Sequence, residues 1–201
     1  MKLISAFCLL GSTLAADKEL KKVEYSTPAA PEGAHLFESF DSGIPANFVK
    51  TSGSKQDEDG GKYAGEIVAE SAQANALEND LGMVLKSKAK HHGIATELAK
   101  PFSFVDEDTF VLQYEVNFQD GIECGGAYVK LLSDEEGLDL SNFHDKTRFT
   151  FMFGPDKCSS DYKLHFIFNY KNPKTGEFEE KHLKTKPKVD VLKAAYKKCK
   201  K

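Results

Sequence analysis

The pattern of the chain predicts an antiparallel all-β sandwich with a helical end. Three observations predict it. Several segments in the second half alternate apolar and polar residues with a strand's two-residue period. Almost nothing in the middle of the chain repeats with a helical period. The last segment, "KVDVLKAAYKKCKK", does: Val191, Leu192, Ala195, Tyr196 and Cys199 fall on one helical stripe.

The elements follow in order. "MKLISAFCLLGSTLAADKEL" opens with the positive Lys2, continues with a short apolar core from Leu3 to Leu10, and places Thr13 and Ala15 at small-residue positions before a cleavage point. Residues 1–15 are therefore expected to be a signal peptide, too short to span a bilayer. Residues 16–34 are polar, carry two prolines and read as an extended lead-in. "AHLFESF" has strand character and ends at the turn Asp41-Ser42-Gly43-Ile44-Pro45; residues 51–62 form a Gly-, Ser- and acid-rich loop. The clearest strand is Phe110–Phe118, where Phe110, Leu112, Tyr114, Val116 and Phe118 share one side. Phe149, Phe151 and Phe153 are expected on one side of a strand at 148–154, and Leu164, Phe166, Phe168 and Tyr170 on one side of another at 162–170. "NPKTG" then turns the chain into "EFEEKHLK", completing a hairpin. Residues 188–201 are the lysine-rich helical tail.

Composition narrows the function classes. The chain has 201 residues, 40% hydrophobic and 29% charged, about one soluble domain. Nine lysines and one aspartate lie between Lys181 and Lys201, which makes that end +8; against a net charge of −4, the remainder is strongly acidic. An acidic body excludes nucleic acid as the main partner. No later segment is long and apolar enough to anchor the chain in a membrane. Once Cys8 leaves with the signal, Cys124, Cys158 and Cys199 remain, and an oxidising compartment should pair two of them. Cys124 and Cys158 lie in the patterned body beside glycine-rich turns and are the favoured pair, which a chain-entropy argument values at about 3–4 kcal/mol. Cys199 is then an odd thiol, free or intermolecular.

The stretch "NFQDGIECGGAYVKLLS" raises a binding question. After Gly125-Gly126, Tyr128, Lys130 and Leu132 point to one face and Val129 and Leu131 to the other. A phenol beside an ammonium suits a sugar, the ring covering an apolar patch and the amine donating to hydroxyls. The same pair is also common on an ordinary wet sheet face. Catalysis finds no support. There is no G-x-S-x-G elbow, and the adjacent acids Glu179-Glu180 and Asp134-Glu135-Glu136 do not by themselves make a glycosidase dyad. His91-His92 lacks companions at zinc spacing. Ser39, Asp41 and Asp80 are oxygen donors of the kind calcium takes.

"NFQDGIECGGAYVKLLS", with "KHHGIATELAKPFSF" upstream and "FMFGPDKCSSDYKLHFIFNYKNPKTGEFEEKH" downstream, resembles the calnexin/calreticulin family of endoplasmic-reticulum lectin chaperones. The motifs C-G-G-A-Y-V-K and F-G-P-D-x-C carry the resemblance, and "KNPKTGEFEEKH" is closer to calnexin. Residues 35–187 would then be a partial calnexin-type lectin domain. The resemblance implies a legume-lectin/concanavalin-like sandwich (a jelly roll) that binds monoglucosylated glycoproteins and unfolded polypeptides in the endoplasmic reticulum lumen, without catalysis. It implies the Cys124–Cys158 disulfide, glucose contacts from Tyr128 and Lys130, packing on the sugar from Phe149 and Met152, an acceptor carboxylate at Glu180, and calcium ligands at Ser39 and Asp80.

Three departures qualify it. Phe149 replaces a tyrosine, losing one ligand hydrogen bond worth about 1 kcal/mol. Ser159 stands where the second motif usually has glycine or alanine. The proline-rich arm, the closing strands and the membrane anchor of the family do not follow Pro187, and the ending matches no retention signal. An oxidoreductase partner, which the arm would recruit, is not expected. An incomplete sandwich exposes edges and an apolar face, so the isolated chain is expected to be unstable or to need a partner's strands. The competing expectation is a truncated product without glycan affinity, either a general binder of unfolded polypeptide or inactive.

Overall fold

The computed structural model describes residues 23–53, 63–103 and 109–183. The signal peptide, the lysine-rich tail with its expected helix, and Cys199 lie outside the described residues. Among the described residues all regular structure is β, and every pairing is antiparallel.

Two small ladders precede the main sheet. Strand β1 (Val49–Lys50) pairs with β4 (Ile94–Ala95), and β2 (Ile67–Glu70) with β3 (Gly82–Leu85). The main sheet has five strands. Strands β5 (Cys124–Gly126) and β6 (Val129–Leu132) lie end to end along one edge of β7 (Phe149–Cys158); β8 (Asp161–Lys171) and β9 (Phe178–His182) follow on the other side. The turns match their residues. Ser159 takes a left-handed φ of 55° between β7 and β8, a conformation costing a non-glycine residue roughly 1–2 kcal/mol. Between β8 and β9, the Asn172 carboxamide oxygen accepts from the Lys174 amide at 2.9 Å, and Asn172 N donates to Glu177 O at 2.8 Å.

Register divides the main sheet into two faces. Phe151 pairs with Phe168 and Phe153 with Phe166, so those four rings share what we call the phenylalanine face. Lys130 pairs with Met152, Met152 with Ile167 and Ile167 with His182; Gly154 pairs with His165, and Asn169 with Glu180. These occupy the opposite, polar face. The core is thin: Phe149, Phe151, Ile167 and Ile67 are the buried apolar side chains among the described residues. Off the sheet, buried Thr51 ties the end of β1 to the chain before β7, its hydroxyl donating to Phe143 O at 2.6 Å.

Three sequence expectations are corrected. Ala34–Phe40 is irregular rather than a strand, although the turn after it forms with Gly43 N donating to Phe40 O at 2.9 Å. Among the described residues, Phe110–Phe118 runs without a ladder. Its inward half is still seated, with Phe110 edge-on to Phe151 (centroids 5.7 Å) and Tyr114 edge-on to Phe153 (5.9 Å). The alternation thus found its packing surface, but among the described residues no backbone hydrogen bond is made by Val111 to Asn117. Finally, Phe149 leaves the row of Phe151 and Phe153. A bulge lets Phe149 pair with Leu132 while Phe151 pairs with Leu131, and this extra residue reverses its side.

Candidate functional site

Tyr128 sits in the gap between β5 and β6, opposite Gly154, and two glycines make its placement possible. A Cβ on Gly126 would run into the Tyr128 ring, so the missing side chain is the space the phenol occupies. A Cβ on Gly154 would strike Ala127 O and come within 2.7 Å of Tyr114 Oη and 2.9 Å of Tyr128 Cα. The backbone freedom of "CGGAYVK" is thereby explained: it admits a close crossing of β7 by the chain that carries Tyr128.

The phenol is not idle. It donates to Asp156 Oδ2, and its ring stands edge-on to His165 with centroids 5.7 Å apart. Burial, followed by the Asp156 hydrogen bond, holds the Tyr128 pKa far above a tyrosine's ordinary value, so the proton stays on the phenol. His165 Nε2 lies 4.0 Å from the same Asp156 oxygen. Sequence reading passed over Asp156 and His165; the F-G-P-D motif contained the aspartate, but only the β7–β8 register sets both beside Tyr128.

One strand position along, the Lys130 ammonium lies 4.9 Å from the centroid of Phe149. Phe149 is only 8% exposed, so it offers a ligand no open ring. It floors Lys130 instead, a cation–π contact of about 0.5–1 kcal/mol that draws the amine down onto the sheet. Met152 is the cross-strand neighbour of Lys130. Glu180, exposed on β9, shares the polar face and is bonded to His182, with Nε2 to Oε2 at 3.0 Å. The fold thus brings Tyr128, Lys130, Phe149, Met152 and Glu180 to one face, with Asp156, His165 and His182 among them. From β6 to β9 this face crosses three interstrand spacings, about 14 Å, which suits an extended polar ligand better than a single small one. The arrangement can donate and accept hydrogen bonds and offer a half-exposed aromatic ring.

Cys124 and Cys158 are directly paired in the β5–β7 register, with Sγ atoms 2.6 Å apart. Ser39 lies in a separate neighbourhood. Its hydroxyl accepts from Asp41 N at 3.4 Å, while the Asp41 carboxylate accepts from Tyr25 Oη (2.8 Å) and Leu81 N (3.2 Å). Hydrogen bonds, first from Thr27 and then from Tyr25, hold Asp41 below the usual carboxylate range. The Asp41 bond and the nearby Asp80 charge help push Tyr25 up to about 12. Ser39, Asp41 and Asp80 are hard oxygen donors of the kind calcium takes, but their number falls short of the six to eight ligands it needs. No cluster of three or more metal-ligating His, Cys, Asp or Glu side chains occurs among the described residues. His92, passed over as a zinc ligand, has a buried Nε2 without a hydrogen-bond partner, and burial lowers its pKa.

Comparison with known proteins gives a consistent picture. The family model described as "Calreticulin family" matches residues 36–198. Calmegin of Bos taurus is 53% identical over 177 residues, covering 87% of this chain and 29% of calmegin. Calnexin of Caenorhabditis elegans is 48% identical over 141 residues, covering 69% of this chain and 23% of calnexin. The calnexin homolog of Aspergillus fumigatus is 38% identical over 202 residues, covering 95% of this chain and 36% of the homolog. Among solved structures, the T. cruzi calreticulin globular domain superposes with a TM-score of 0.54 at 22% identity, covering 77% of this chain and 52% of that one. The chain therefore spans about three tenths of the length of the first curated relatives it matches.

Proposed function

The chain belongs to the calreticulin family, and from that premise we propose that its polar face binds monoglucosylated N-glycans on unfolded glycoproteins, in the endoplasmic reticulum lumen and without catalysis. The family as a whole consists of chaperones rather than enzymes. The observation that carries the reading is the convergence of Tyr128, Lys130, Met152 and Glu180 on one sheet face, reached from three separate segments of the sequence. Lys130 donates to sugar hydroxyls from its aromatic floor, Glu180 accepts from them, and the Tyr128 ring covers an apolar sugar patch. A Cys124–Cys158 disulfide locks the strand ends that position Tyr128. Calcium belongs to this proposal through Ser39 and Asp80, with further ligands required to complete its shell.

Calorimetry with a monoglucosylated oligomannose tests the reading. Lys130→Ala should weaken binding by about 10- to 100-fold, the value of one charge-assisted hydrogen bond, with the fold retained. Equal binding by the variant would refute the assignment.

One observation favours a second reading, a general binder of unfolded polypeptide. Phe166 and Tyr170 remain 42% and 39% exposed on the phenylalanine face. Capture of unglycosylated unfolded protein, with no response to the glycan, would select it.

A further inference from the structure

We propose that Phe110–Phe118 is a self-pairing strand, through which two copies of this chain join antiparallel about Tyr114. This pairing is independent of any glycan on the polar face.

From Phe110 to Glu115 the burial of the segment already alternates as a strand's does. Its inner side is fixed by Phe110 on Phe151, Tyr114 on Phe153 and the Tyr114 hydroxyl donating to Ala127 O at 3.0 Å. Among the described residues, no backbone hydrogen bond is made by Val111 to Asn117. A backbone with unspent donors and acceptors and a strand's side-chain alternation is a template for another strand. It is also reachable: Val111 is 78% exposed, and Gln113, Glu115 and Asn117 are exposed.

The sequence names the occupant. F-V-L-Q-Y-E-V-N-F is close to a palindrome about Tyr114. Laid antiparallel on itself, it sets Phe110 against the second copy's Phe118, Leu112 against its Val116, and Tyr114 against its Tyr114. On the outer side, Gln113 meets the second copy's Glu115, an amide donating to a carboxylate, and the two-fold axis repeats the contact. Such pairs each contribute roughly 0.2–1 kcal/mol. The register is selective. Centring on Glu115 would set two carboxylates face to face, and centring on Gln113 would set Val111 against Glu115. A two-fold axis through Tyr114 gives a closed, isologous interface in which every contact occurs twice.

Sedimentation velocity over a concentration series tests this on the full chain carrying Cys199→Ser, which removes the odd thiol as a source of dimers. The expected result is a dimer. Gln113→Glu places carboxylate against carboxylate twice and should weaken association at least tenfold, whereas the swap Gln113→Glu with Glu115→Gln recreates the pair and should restore it. Both positions are exposed, so far-ultraviolet circular dichroism should not change. A monomer at every concentration, an open-ended aggregate, or a dimer indifferent to Gln113→Glu would overturn the proposal.

Discussion

The two faces of the five-stranded sheet are built from the same strands yet solved differently. On the polar face, most side chains with chemistry have a protein partner: Tyr128 has Asp156, Lys130 has Phe149, Glu180 has His182. On the other, Phe110 and Tyr114 cover the rings of β7, while Phe166 and Tyr170 of β8 stay partly exposed. The difference teaches that local pairing organises a polar surface without a second layer, whereas an apolar surface needs area laid over it. Aromatic contacts such as Phe151–Phe166, with centroids 4.9 Å apart, hold rings together within a layer but do not exclude water above it.

Gly154 belongs to both faces, and altering it should break the comparison most severely. A methyl there strikes Ala127 O and crowds Tyr114 Oη and Tyr128 Cα at once. Gly154→Ala should lower stability by about 3 kcal/mol, the upper part of the usual overpacking range, with glycan binding lost at the same time. Urea denaturation followed by calorimetry would check both; an unchanged midpoint would contradict the close crossing.

Gly126→Ala should separate the faces. The added methyl's nearest collisions are with the Tyr128 ring, so the ring must swing away from Asp156 and His165. Glycan affinity is expected to fall about tenfold, equivalent to about 1.4 kcal/mol, while aromatic near-ultraviolet signals from the phenylalanine face persist. The mildest change acts on the apolar side. Tyr114→Phe keeps the ring on Phe153 and removes the bond to Ala127 O, which should cost about 1 kcal/mol in thermal or chemical unfolding and leave glycan binding intact. A loss of binding in that variant would show that the faces are coupled.

Much of this was legible in the residues. The β7–β8 hairpin follows from phenylalanines at every second position, and the turn into β9 from Asn172 and Gly176. The convergence of Tyr128, Lys130, Met152 and Glu180 was carried by motif, and strand register supplies its geometry. What escaped depends on information a pattern does not hold. Phe110–Phe118 has a strand's alternation, but alternation describes side-chain faces and says nothing of whether a neighbour is present to bond. Asp156 and His165 are nine residues apart and meet only across the β7–β8 ladder. The short strands β1 to β4 have too few residues to show a period at all.

The bulge opposite Leu132 carries a consequence for inheritance. Loss of the single codon for Thr150 would leave the reading frame intact and every other side chain unchanged. It would also leave the ring beneath Lys130 in place, because Phe149, then adjacent to Phe151, falls on the opposite face by simple alternation and still pairs with Leu132. At this point in β7 the strand can lose a residue and keep its ring under the ammonium, whereas Phe149 itself cannot be exchanged for an aliphatic residue without losing the cation–π contact, so a tolerated change of length and a tolerated change of letter are separate questions.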